Sequence, residues 1–310
     1  MAFSLVQTLC ELPLAFVDLE TTGASADFGH KIIEVGIVRV EGGKNVAEYQ
    51  QLVDPLRRIS AGVTFLTGIT QEMVDGKPTF AAQMPAMLQL FRGAIVLGHN
   101  VRFDLSFLRR EFRRCGCEIT QVLDNAPVLD TVRIARKRFG RGGNALQVLS
   151  RRLGIVPAVA HRALADAQTT HLVFEQLMST VGGWGCMLCD AMQQQGGPMG
   201  LLPVSARESL LPLELEEALD ARRPVMMEYV DGEGRRTERV VQPLHVRRRG
   251  GELHLVAHCE LRGAQRTFKL DRVVHLTRIE NAPAVTQSAA PVAEPVAVVT
   301  PVLDNTPVVP

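Results

Sequence analysis

Hydrophobic and polar positions follow two different periods along the first part of the chain. Residues 14–19 (Leu14, Ala15, Phe16, Val17, Asp18, Leu19) are apolar almost without a break and read as a buried strand. Residues 31–40 and 46–53 read as two more strands around the turn Glu41-Gly42-Gly43-Lys44, a hairpin. From residue 78 the period lengthens. Phe80, Met84, Met87, Leu88 and Phe91 recur at helical spacing over 78–92, up to Gly93. Residues 94–97 read as a short buried strand, and 103–114 as a helix carrying Phe103, Phe107, Leu108 and Phe112. Two shorter helices fit 131–138 and 144–153, and a last one over 163–178 puts Ala167, Thr170, Phe174 and Leu177 on one face. A strand hairpin followed by alternating helices and strands predicts an α/β fold over residues 1–180, a mixed sheet with flanking helices.

Beyond residue 180 the pattern changes. Residues 181–205 are rich in Gly, Gln and Met, broken by Pro198 and Pro203, and predict a linker. Within residues 206–280, a helix at 213–222 precedes short strands at 224–230, 238–247, 252–259, 266–270 and 273–279. The turns Asp231-Gly232-Glu233-Gly234 and Arg249-Gly250-Gly251 separate them. One helix and five short strands predict a small C-terminal β-barrel domain. Residues 281–310 are Ala, Val and Pro in low-complexity order and predict a disordered tail.

Bulk composition narrows this little. The chain has 310 residues, 46% of them hydrophobic, enough for one large domain or two ordinary ones. A net charge of +1 excludes no class of partner, because local patches decide nucleic-acid binding. Six cysteines in a chain this long make no disulfide framework, and Cys186-x-x-Cys189 lacks the second pair a zinc site needs. The N-terminus has no basic flank of the secretory kind, and no apolar run is long enough to span a bilayer. The expectation is a soluble, cytoplasmic protein.

Three segments offer chemistry. Asp18 and Glu20 flank Leu19 at the end of the first strand, so both side chains point to one face. Two carboxylates together repel and are costly to bury, and a divalent cation removes that cost. Oxygen ligands favour magnesium or manganese over zinc. The pair alone also reads as a solvated strand end. Asp104 closes the segment Gly98-His99-Asn100-Val101-Arg102-Phe103-Asp104, where a buried strand gives way to a helix. A first-turn aspartate is equally an ordinary helix cap. Asp166 lies one turn into the 163–178 helix, among Ala163, Ala165 and Ala167, and His161 stands just before that helix. Alone, this too reads as a surface histidine beside a helix-start aspartate.

Together the three segments resemble the DEDDh exonucleases, the DnaQ-like proofreading family of the RNase H-like fold. The first motif is Phe16-Val17-Asp18-Leu19-Glu20-Thr21-Thr22-Gly23, the second is 98–104, and the third is His161 followed five residues later by Asp166. The resemblance covers residues 12–178. It implies a metal-dependent 3′→5′ exonuclease in which Asp18, Glu20, Asp104 and Asp166 hold two divalent ions, Mg2+ or Mn2+, and His161 takes a proton from the attacking water. It also implies that Thr21, Thr22, Asn100 and Phe103 approach the terminal nucleotide. The segment Phe65-Leu66-Thr67-Gly68-Ile69-Thr70 is similar to the family's loop that packs on the terminal base, with Leu66 and Thr67 in contact, while Phe65, Leu66 and Phe103 read equally as ordinary core packing.

The substrate is less sharply defined. Thr67-Gly68-Ile69-Thr70, and Leu129-Asp130-Thr131 before a basic helix, look more like the DNA polymerase-associated branch. Single-stranded DNA or a frayed 3′ end is therefore the expected partner, with RNA trimming as the alternative and a polymerase or repair partner left open. The basic helix carries Arg133, Arg136, Lys137 and Arg138, with Arg141, Arg151 and Arg152 nearby. Phosphate contact and a solvated basic face are both open readings. Residues 214–279 resemble a WYL domain, a small Sm-like barrel, through Glu217-Ala218-Leu219, Glu228-Tyr229, Val241-Gln242-Pro243-Leu244 and Arg266-Thr267-Phe268-Lys269-Leu270-Asp271-Arg272-Val273. Leu253-His254-Leu255 replaces the naming tripeptide. The resemblance implies a nucleic-acid-binding or sensing module with Arg266 and Arg272 as anion contacts. A regulatory protein acting through that module is the rival to an enzyme.

Overall fold

The computed structural model describes residues 3–156, 161–202, 211–249 and 252–279. The expected tail at 281–310 lies outside the described residues. The first sheet is built from β1 (Leu14–Thr21), β2 (Ile32–Glu41) and β3 (Lys44–Leu52), then β4 (Ile95–Gly98) and β5 (Val128–Asp130), in the order β3-β2-β1-β4-β5. β1, β2 and β3 are antiparallel neighbours, while β4 runs parallel to β1 and β5 parallel to β4. The hairpin turn between β2 and β3 takes positive φ at both Gly42 (59°) and Gly43 (76°), which the tight two-residue turn requires.

Among the described residues, eight α-helices accompany this sheet: α1 (Ala61–Thr67), α2 (Gln71–Val74), α3 (Phe80–Phe91), α4 (Arg102–Arg114), α5 (Ile119–Val122), α6 (Thr131–Phe139), α7 (Leu146–Arg152) and α8 (Ala163–Met178). This is the mixed RNase H-like arrangement. The alternation of a strand divides the core in two. Ala15, Val17 and Leu19 pack with Phe91, Phe107 and Phe112 of α3 and α4. Leu14 and Phe16 face the other way and pack with Val173, Phe174 and Leu177 of α8. Each of those large α8 side chains contributes about 1.5–3 kcal/mol by leaving water. Asp18 and Glu20 share the parity of Leu14 and Phe16. The same burial that seats α8 therefore aims the carboxylate pair at the start of α8. Gly36 of β2 makes this approach possible, since a Cβ there would lie 2.1 Å from the Ala163 carbonyl carbon.

The segment expected to be a linker folds back on the first unit. α9 (Leu188–Gln194) buries Leu188, Ala191 and Met192 in the α8-side core, while Met199 and Leu201 join the opposite core. The Gln195 side chain accepts from the Asp130 amide and donates to the Val128 carbonyl, so it closes the free edge of β5. The roughly two turns of α9 bury three apolar residues, too few for a periodic signal to emerge from the Gly-Gln-Met background.

The second unit comprises α10 (Leu213–Ala221) and the strands β6 (Val225–Val230), β7 (Arg236–Arg249), β8 (Glu252–Cys259), β9 (Ala264–Lys269) and β10 (Val273–Arg278). Its antiparallel sheet has the order β10-β6-β7-β8-β9 and packs Met227, Val241, Leu255 and Phe268 against Leu215 of α10. The expected closed Sm-like barrel is not what the described residues form, since no ladder among them joins edge strands β9 and β10. Alternation counts strands, whereas closure depends on shear and edge pairing, which alternation does not encode. Among the described residues, no helix is long and apolar enough to cross a membrane.

Candidate active site

The end of β1 opens into a cavity of about 450 Å³. Asp18 and Glu20 enter it from β1, Asp104 from the first turn of α4, Asp166 from the first turn of α8, and His161 from the residues just before α8. Donor atoms of Glu20, His161 and Asp166 all lie within 4.8 Å of one another. The Asp166 carboxylate is fixed at both oxygens. It accepts from the His161 backbone N–H at 2.9 Å and from the Gln147 side chain, on α7, at 3.0 Å. His161 has φ 59° and Asn100, also on the cavity wall, φ 60°. Both lie in the left-handed region, a conformation that costs a non-glycine residue about 1–3 kcal/mol and clusters at functional sites. Asp130 holds the Asn100 turn by accepting its backbone N–H at 3.1 Å while capping α6 through Val132 N–H.

Burial is the first cause of every perturbed acid here. It pushes the Asp18, Glu20 and Asp104 carboxyls well above the usual carboxylate range, and Asp166 up to about 6. For Asp18 and Glu20, repulsion from Asp166, Asp104 and Glu34 adds to burial. The cation that offsets Glu20 is Arg162, which is already committed to Glu34. Four carboxyls converging in one cavity with so little opposing charge fit divalent cations bound by oxygen. The two nearby histidines differ. His99 lines the cavity as well, but its ring is bonded through Nδ1 to Thr131 at 2.8 Å and its pKa is pushed down to about 4 by burial, which suits a positioning group better than a base. His161 is only half-buried, and burial lowers its pKa so that the ring is held neutral.

The expected substrate residues divide. Thr21, Leu66, Thr67, Asn100 and Phe103 all line the cavity. The structure does not bring Thr22 there. Its buried hydroxyl accepts the Lys31 N–H and pairs with His30, tying β1 to the start of β2. Of the segment expected as a loop over the terminal base, Phe65-Leu66-Thr67 form the last turn of α1, and Gly68-Ile69-Thr70, with Gly68 at φ 69°, form the non-helical link to α2. Phe65 points outward, 74% exposed, beneath the Arg236 guanidinium of the second unit. Arg266 is exposed on β9, and Arg272 lies against Gly232 in the β6–β7 turn, so neither walls this cavity. The basic helix, α6, is not a free cationic face. Arg136 pairs with Glu216 and Arg141 with Asp220, both on α10, while Lys137 and Arg138 donate to backbone carbonyls.

Sequence reasoning missed Glu34, Arg162, Gln147 and Gly36. Glu34, fully buried on β2, receives Arg162 Nη2 at 2.6 Å, Ala163 N–H at 3.0 Å and Gln50 at 2.9 Å, and so pins the start of α8. The available signal was Gly36, an isolated glycine inside a strand, which marks a close backbone approach. The second unit was not expected at the site at all, yet Leu213, Glu214, Val274 and Leu276 form one wall of the cavity.

Comparison with known proteins agrees with this architecture. A family model described as Exonuclease matches residues 15–174, and one described as WYL domain matches residues 212–278. The 3′-5′ exonuclease DinG of Bacillus subtilis is 36% identical over 163 residues, covering 52% of this chain and 17% of that protein. A PolC-type DNA polymerase III of Thermotoga maritima is 34% identical over 179 residues, covering 56% of this chain and 13% of that protein. The chain thus spans less than a fifth of the length of either relative. The solved structure of exonuclease I shares the fold at 17% identity and a TM-score of 0.50, over 86% of this chain and 64% of that one. With the exonuclease model matching just over half of its residues, the chain belongs to the exonuclease family and carries a WYL domain after the exonuclease unit.

Proposed function

We propose that this protein is a metal-dependent 3′→5′ exonuclease that removes nucleotides from single-stranded or frayed DNA. The observation that carries the reading is the convergence of Asp18, Glu20, Asp104, Asp166 and His161 in one cavity at the end of β1. Asp18, Glu20, Asp104 and Asp166 would hold two magnesium or manganese ions, whose charge stabilises the attacking and leaving oxygens of a phosphoryl displacement. The protein's own groups divide the remaining work. Gln147 and the His161 amide fix the Asp166 carboxylate, so a ligand oxygen need not reorganise during turnover. His161, whose pKa burial lowers, stands beside Glu20 and Asp166 and accepts the proton of the attacking water. Leu66 and Phe103 offer an apolar surface for the terminal base.

The naming of DNA polymerases among the relatives supports DNA over RNA. A direct comparison tests the proposal: equimolar single-stranded DNA and RNA of one sequence, each with magnesium, manganese or a chelator. The expected result is metal-dependent release of nucleotides from the 3′ end, faster on DNA. Metal-independent release, or faster loss of RNA, would overturn the corresponding part of the reading.

A further inference from the structure

In the loop between α6 and α7, two backbone amides converge on a single carboxylate of the second unit. Gly142 and Gly143 have φ 96° and 72°, and the consecutive backbone amides of Gly143 and Asn144 point at one acceptor. That acceptor is the buried carboxylate of Glu217 on α10, at 3.0 and 2.8 Å. Paired backbone amides in such a turn are a general recognition device for anionic oxygens. Two cations flank them. Arg136 donates to Glu216 at 3.0 Å, and Arg141 to Asp220 at 2.7 Å, both carboxylates being on α10. Gln147, which holds the Asp166 carboxylate, follows on the next helix, so this site borders the active-site cavity.

The occupant matters for access. With α10 in place, Leu213, Glu214, Val274 and Leu276 wall the cavity, and the second unit also grips α1. Val274 packs on Gly62, and Arg236 stacks on Phe65 at 5.6 Å. A cavity of about 450 Å³ is sized for one small molecule, whereas single strands are bound along about 4–16 nucleotides. One terminal nucleotide fits, and the strand behind it needs another path.

We propose that the Gly143 and Asn144 amides with Arg136 and Arg141 form a binding site for backbone phosphates of the substrate strand, and that the α10 carboxylates occupy it in the absence of a strand. Phosphates and the Glu216, Glu217 and Asp220 carboxylates then compete for the same donors, and strand entry displaces the second unit from the cavity wall. This rests on the exonuclease reading of the neighbouring cavity.

The test measures equilibrium binding of a fluorescent oligothymidylate to the full chain by anisotropy, with chelator present so that binding is read independently of cleavage. Two variants both weaken the contact between the units but from opposite sides: Glu216→Gln with Asp220→Asn, and Arg136→Ala with Arg141→Ala. Competition makes them diverge, the carboxylate variant binding several-fold tighter than wild type and the arginine variant several-fold weaker. Hydrolysis of the p-nitrophenyl ester of thymidine monophosphate, small enough for the cavity, stays at the wild-type rate in the carboxylate variant, which also shows that it is folded. Equal binding in all three proteins, or a change of the same sign in both variants, would show that the interface is purely structural. With manganese in place of chelator, failure of the wild type to cleave either substrate, with the divergent binding intact, would instead count against the exonuclease reading alone.

Discussion

Glu34 offers the sharpest perturbation of the site from a residue outside it. Glu34→Ala removes a fully buried carboxylate and leaves Arg162 and the Ala163 N–H without the partner that positions them. Breaking a buried ion pair by deleting one member costs about 3–5 kcal/mol. The Arg162 side chain is 34% exposed, so water recovers part of that, and about 2–3 kcal/mol is the working figure. At about 2–4 °C per kcal/mol for a unit of this size, the melting temperature should fall by about 4–12 °C. The activity should fall further than stability alone explains. Arg162 and Ala163 lie between His161 and Asp166, so a loosened start of α8 shifts both, and a displacement of about 1 Å costs on the order of 100-fold in rate. The assay is thermal melting by circular dichroism beside kcat on single-stranded DNA, measured well below both transitions. Arg162→Lys should show a milder version, because an ammonium cannot reproduce the two-nitrogen fork. A shift in melting temperature under about 1 °C with kcat unchanged would refute the assignment of Glu34 as the anchor of α8.

Other consequences follow from the same geometry. Gly36→Ala drives a methyl into the backbone of Ala163 and Leu164 and should cost about 1–3 kcal/mol, with a fall in kcat, read by urea unfolding and turnover. An unchanged unfolding midpoint would show that α8 does not rest on Gly36. In the metal-free protein the folded-state pKa values of Asp18, Glu20, Asp104 and Asp166 are raised, Asp166 to about 6. Their stabilising contribution is therefore present below the ordinary carboxylate range near pH 4 and is lost as pH rises through those raised values. Metal-free melting temperature should decline as pH rises above about 4 and through the raised values, the Asp166 part being lost near pH 6, and manganese should raise it more at the higher pH, because binding needs deprotonated ligands. A manganese-induced shift independent of pH would argue against these carboxylates as ligands. Burial lowers the His161 pKa, so the acidic limb of kcat/KM should fall below the ordinary histidine value of about 6.5. His161→Gln should remove that limb and slow turnover by about 100- to 10,000-fold. A limb that persists in the variant assigns it to another group.

How much could be read in advance depends on whether a contact leaves a local trace. The parity that buries Leu14 and Phe16 against α8 also aims Asp18 and Glu20, so a strand-end pair two apart was legible. The third motif was legible because Asp166 sits one helical turn inside α8 with His161 just before it. Glu34 was not, because its partner Arg162 lies 128 positions along the chain and nothing in a strand glutamate announces a buried pair. Thr22 was misplaced because sequence does not show which hydroxyl a neighbouring backbone will claim. The basic character of α6 was visible, but the α10 carboxylates that cover Arg136 and Arg141 come from a unit whose docking no periodicity encodes.

The central claim is that the four carboxylates and His161 form an exonuclease centre of 3′→5′ polarity. The most direct measurement follows a 5′-end-labelled single strand of DNA with manganese, comparing the wild type with Asp18→Ala combined with Glu20→Ala. The account predicts a ladder that shortens progressively from the 3′ end with the wild type and an intact strand with the variant, which retains strand binding. Immediate release of the labelled terminal nucleotide by the wild type, or an unchanged ladder from the variant, would contradict it.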